Sequence, residues 1–148
     1  MPEYSDIYVL SNKRDKKSIE LFFDNFLPNR EESADEYEVP QYADSPEHIF
    51  KTASELIDYC SDKLDIEHSI YWRASNGSKP EHGMVFFLKD KHVIYGLSTD
   101  AADQKYAKAL LEVMKELLNS PFGYIAHEAS PDVCNAKEFK QQIEIHKP

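Results

Sequence analysis

At 148 residues, with 41% hydrophobic and 12% aromatic content, the chain is long enough for one core-forming domain over residues 1–148 and too apolar to be a disordered acidic polymer. A formal net charge of −10 argues against binding a phosphate backbone, which requires a basic patch. No apolar run approaches the ~18 residues of a membrane span, and the polar start lacks the apolar segment of a secretory signal, so the expectation is a cytoplasmic protein that engages neither nucleic acid nor membrane.

Ile7-Tyr8-Val9-Leu10 is a β-branched and aromatic run that predicts a first strand. Ser11–Arg14 turns the chain, and Asp15 or Asn12 can cap a helix in which Ile19, Phe22, Phe23, Phe26 and Leu27 recur at helical spacing. Pro28 ends it. Residues 30–45 form the least regular part of the chain, although Tyr37, Val39 and Tyr42 alternate with polar residues and suggest a short strand over Glu36–Tyr42, held to an edge by Pro40. Ser45 followed by Pro46 reads as the cap and first position of a second helix, with Glu47 in its first turn and Ile49, Phe50, Ala53, Leu56, Ile57, Cys60 and Leu64 on its apolar face.

A meander follows, over Ser69–Ala74, Gly83–Leu88 and Val93–Leu97. In its first strand Ile70 and Trp72 take one face and Tyr71 and Arg73 the other, while the middle strand is apolar on both faces, as a central strand is. Thr99 or Asp100 can cap a third helix of about eighteen residues, which Asn119-Ser120-Pro121 terminates. Phe122–Ala126 predicts another strand, and Ala136–Ile143, capped by Asn135, a last helix. The order β-α-(β)-α-β-β-β-α-β-α is that of an α+β domain, with three to four helices packed on an antiparallel-rich sheet of four to five strands.

Chemical signatures are sparse. Four scattered glycines make no phosphate-binding loop. Cys60 and Cys134 form no CxxC pair, and Cys60 falls on an apolar helix face, so a reduced chain is the simplest reading. His127-Glu128 ahead of Cys134 is a poor nucleophile setting, because Glu128 and Asp132 oppose thiolate formation. None of the six histidines has a close metal-binding spacing, and no cofactor, metal or catalytic set is expected. His68, His82, His92 and His127 do fall near strand ends, where several could meet.

The strongest signal is electrostatic. Between Glu31 and Glu67 lie twelve acids and two bases, a surplus of ten that equals the net charge of the whole chain. Glu55, Asp58, Asp62 and Asp65 are spaced three or four apart, so one helix face would carry them all, at a cost in mutual repulsion. Ahead of them, Glu36, Tyr37, Glu38, Tyr42 and Asp44 combine carboxylates for long-range attraction with tyrosines of the kind enriched at interfaces. In size, charge and single α+β domain the profile resembles the small acidic immunity proteins that bacteria pair with toxins, many of which cover the basic substrate-binding surface of a nuclease. No motif carries that resemblance, so it implies a partner class, a basic toxin, and transfers no residue.

The leading expectation is therefore a non-enzymatic binding module that meets a basic protein through those nine residues, as an immunity or inhibitor protein would. Two alternatives stand beside it. One is a small-molecule- or metal-binding domain or small enzyme with a site at the sheet ends near Trp72, Arg73, His92 and His127. The other is a homo-oligomeric structural module, a homodimer for instance.

Overall fold

The computed structural model describes residues 2–147; Met1 and Pro148, which the single-domain reading included, lie outside them. The architecture is α+β, as the order of elements indicates. Six strands form one sheet in the order β2-β5-β6-β7-β1-β8, every neighbouring pair antiparallel, and β3 and β4 make a separate two-stranded ribbon. The strands are β1 (Tyr4–Ser11), β2 (Arg30–Glu32), β3 (Tyr37–Val39), β4 (His48–Phe50), β5 (His68–Ala74), β6 (His82–Phe87), β7 (Val93–Asp100) and β8 (Gly123–Ala126). The helices are α1 (Lys16–Phe26), α2 (Ala53–Asp62), α3 (Gln104–Leu118) and α4 (Ala136–Ile145).

Alternation along the strands divides the interior in two. Ile7, Val9, Ile70, Trp72, Val85 and Tyr95 point to the face covered by α1, α2 and α3, where they meet Ile19, Phe22, Phe23, Leu56, Ile57 and Met114. Tyr8, Leu10, Met84, Ile94 and Tyr124 point to the other, which α4 covers through Phe139, its ring 5.1 Å from that of Tyr124. At Gly123 an added Cβ would lie 2.8 Å from the carbonyl oxygen of Tyr8, so only glycine permits β8 to approach β1 this closely.

The sheet has more strands than the four or five expected. Arg30–Glu32 has little strand propensity, yet it pairs with Trp72–Ala74 of β5, because backbone groups alone satisfy an edge strand whose side chains face water. The second helix begins at Ala53, not after Ser45. Thr52 is the N-cap, its hydroxyl accepting the Glu55 N–H at 3.2 Å, and Ile49 and Phe50 pair as strand with Tyr37 and Glu38. Glu47, expected in the first helical turn, lies in the bend before β4. The third helix is likewise shorter: β7 runs through Thr99 to Asp100, and Asp103 caps α3 by accepting the Tyr106 N–H at 3.0 Å.

Cys60 is buried and free, and its burial pushes the thiol pKa up to about 12; Cys134 is free and exposed. A thiolate-specific reagent at neutral pH is therefore expected to modify one thiol per folded chain, Cys134, and two in denaturant. Rapid modification of both in the native protein would contradict the burial of α2.

Candidate protein-binding surface

Eleven of the twelve acids between Glu31 and Glu67 are solvent-exposed, with Glu38 half-buried. Three lie near a basic side chain: Asp58 at 2.6 Å from Lys16, Glu31 at 3.0 Å from Arg73, and Glu36 at 4.0 Å from Lys51. Glu32 has a structural task, its Oε1 accepting both the Tyr37 hydroxyl and the Ala53 N–H at 2.8 Å. The other acids are unpaired with bases among the described residues, so most of the negative charge counted in the sequence is available at the surface.

The acids predicted on one helix divide between that helix and the turn after it. Glu55 belongs to the first turn of α2, where a carboxylate complements the positive end of the helix dipole. Asp58 is tied to α1 through Lys16. Asp62 is the last residue of α2, where a negative charge opposes the dipole, and no basic residue occupies that last turn. Asp65 stands beyond the helix, in the turn leading to β5.

The remaining predicted residues follow the chain around the sheet edge. Tyr37 is not an exposed contact residue: it is 3% exposed and packs in the core beneath the helices, because alternation along β3 turns Tyr37 and Val39 inward together. Burial, with the bond to Glu32, raises its hydroxyl pKa. Asp44 is exposed in the bend between β3 and β4. Tyr42 is 80% exposed and adopts a left-handed backbone with φ +65°, a conformation unusual for a bulky residue. That turn is held from both sides. The Glu38 carboxylate accepts the Tyr42 N–H at 3.1 Å, Gln41 bonds the Ser69 hydroxyl at 3.0 Å and N–H at 3.1 Å, and His68 Nε2 donates to the Glu38 carbonyl at 2.8 Å.

These bonds place Glu36, Glu38 and Tyr42 beside Tyr71 of β5, around a cavity of about 270 Å³. A second hollow of about 200 Å³, rimmed by Glu67 and Asp132, continues across Phe86 and shares Gln41, His68 and Ser69 with the first. Tyr71 is 39% exposed and meets Phe86 edge to face at 5.8 Å. The floor belongs to the face opposite α2, since Tyr71 alternates away from Ile70 and Trp72. The structure thus brings Glu36, Glu38 and Tyr42 of the irregular stretch to one groove, whose lining does not include Asp44, and leaves the α2 acids on the helical side. Sequence reasoning missed Tyr71, Phe86, Gln41 and Ser69. The alternation of β5 and the doubly apolar β6 were the available signals; what they lacked was the knowledge that α4 packs on β8 and leaves Tyr71 partly exposed.

The strand-end histidines do not gather at one end of the sheet. His68 opens β5 and His92 precedes β7 at one end of the sheet, while His82 opens β6 and His127 follows β8 at the other. Among the described residues no group of three His, Cys, Asp or Glu side chains is arranged to hold a metal ion. Trp72 and Arg73 do not converge with His92 either: Trp72 packs under Phe23 at 4.5 Å, and Arg73 lies on the opposite face with Glu31. No described helix is long and apolar enough to cross a membrane.

No protein-family model matches the sequence, and none of the curated proteins does. Among solved structures the chain is similar to one described as a Pseudomonas aeruginosa T6SS protein, at 10% identity and a TM-score of 0.44, over 84% of this chain and 41% of that one. The chain therefore spans about two-fifths of that structure's length.

Proposed function

We propose that this protein is a non-catalytic binding module that engages a basic protein through the acidic surface of residues 31–67, in the manner of an immunity or inhibitor protein. The observation that carries the reading is the exposure of that charge: eleven of twelve acids face solvent and few have a basic partner. Such a patch produces a field that attracts a cationic surface and accelerates encounter. It also has a cost, since Asp58 and Asp62 repel each other at helical spacing and Asp62 opposes the α2 dipole. A cost in stability that remains in the folded chain is what a surface shaped for a partner leads one to expect.

The test is the salt dependence of association. A partner captured from the source cell and purified should bind with a rate constant that falls about 10- to 100-fold between low and high ionic strength, while the dissociation rate changes little. A rate independent of salt, or a partner whose contact surface is acidic, would remove the reading.

A further inference from the structure

We propose that the groove over Tyr71 and Phe86 is the recognition site for an arginine-bearing segment of the partner, a guanidinium stacking against Tyr42 and Tyr71 while Glu36 and Glu38 accept its N–H groups. This rests on the reading of a basic protein partner and locates its specific contact on the sheet face, apart from the α2 acids. The occupant follows from the chemistry of the lining. Neither hollow is lined by a lysine or arginine, and the one base present, His68, has its ring nitrogens committed to Glu38 and Ser69. Arg73 shares the face but is held by Glu31 at 3.0 Å, and the exposed Lys51 reaches Glu36 only at 4.0 Å, a loose pair that a bound guanidinium would displace. What remains is aromatic surface surrounded by carboxylates, which is complementary to a planar cation.

Size narrows the choice further. A cavity of about 270 Å³ is smaller than the ~300–1,000 Å³ typical of small-ligand pockets and suits one long side chain, with the adjoining hollow available to the residues flanking it. The site is also prepared in advance. Tyr42 is fixed in its left-handed turn by Glu38, and Gln41 ties that turn to β5, so little ordering remains for binding to supply. A second copy of this chain is a poorer occupant, because a two-fold contact through this face would set Glu36, Glu38, Glu67 and Asp132 against the same acids of its mate.

The experiment titrates the isotopically labelled protein with two peptides of equal charge, one of alternating glycine and arginine and one of alternating glycine and lysine, following backbone amide resonances. The arginine peptide should shift Tyr42, Ser69 and Tyr71 saturably and bind about three- to fivefold more tightly than the lysine peptide. Tyr71→Leu, which keeps an apolar floor and leaves only the Tyr42 π face, should at least halve that preference while leaving the unfolding midpoint near its original value. Equal affinity for the two peptides, or an undiminished arginine preference in Tyr71→Leu, would overturn the proposal. Shifts confined to residues 55–65 would overturn it too, but would leave the acidic-surface reading intact; failure of both peptides to bind would count against both. Sedimentation showing a dimer that Tyr71→Leu dissociates would assign the groove to a second copy instead.

Discussion

Replacing Arg14 with methionine should lower the free energy of unfolding by about 3–5 kcal/mol, a large share of the 5–15 kcal/mol typical of a domain. Arg14 is 6% exposed and has no carboxylate partner among the described residues; its guanidinium donates instead to five backbone carbonyls. Those of Cys60 (2.8 Å) and Lys63 (3.2 Å) belong to the C-terminal end of α2, that of Ile66 (2.7 Å) to the loop into β5, and those of Leu88 (2.6 Å) and His92 (3.3 Å) to the β6–β7 turn. The group also lies 5.1 Å from the centre of the Phe87 ring.

A helix whose last turn holds no basic residue, with Asp58 and Asp62 near its end, has terminal carbonyls left over once the Lys63 N–H has taken that of Tyr59, and a negative dipole end beside two carboxylates. Arg14 supplies the missing cation from the start of α1. Methionine retains much of the volume and removes every donor, so the carbonyls lose their shared partner within a closed interior. Arg14→Lys should recover only part of the loss, because an ammonium has three donors on one point and cannot span five acceptors in a fork. Denaturant unfolding measures both, with an unchanged m-value confirming that the native state keeps its extent. A loss under about 1 kcal/mol for the methionine variant would show that water replaces the guanidinium.

Arg14 also marks how far local sequence could be read. In the sequence it belongs to a basic run, Lys13-Arg14 with Lys16-Lys17, which suggests a solvated turn; its partners lie 46 to 78 residues away and leave no local trace. The meander and α1 were legible because their side-chain periods, two and 3.6, are imposed by a core lying on one side of each element. β2 was not, since its place in the sheet comes from backbone pairing with β5. At α2 two start signals competed. Ser45-Pro46 matched a helix opening, but Thr52-Glu55 formed the cap, because His48–Phe50 gained strand partners in Tyr37–Val39. Tyr37 and Tyr42 look equivalent in an acidic stretch; the inward turn of β3 buries one and the left-handed turn after it exposes the other. The charge itself was legible, because exposure is the ordinary fate of an acid. Its division between two faces required the fold.

That division decides which acids to reverse. Changing Glu36, Asp62 and Asp65 to lysine moves the formal net charge from −10 to −4, two units per site. It spares Glu32, Glu38 and Asp58, whose carboxylates hold Tyr37 and α2, Tyr42, and Lys16 respectively. Association with the basic partner should slow by about 10- to 100-fold at low salt, and the difference should shrink as salt screens the field. Glu112→Lys, Glu116→Lys and Glu144→Lys, on α3 and α4, give the same net charge and should slow it far less, which separates a local field from total charge. Stability should move the other way. Asp62→Lys places a cation at the negative end of α2 and should stabilise the fold by about 0.3–1 kcal/mol, whereas breaking the 4.0 Å pair between Glu36 and Lys51 should cost little at so exposed a site. A variant that folds more stably and binds more slowly would mean that Asp62 is kept for encounter at the expense of its helix; equal slowing in the two triple variants would reduce the acidic patch to a contribution to net charge.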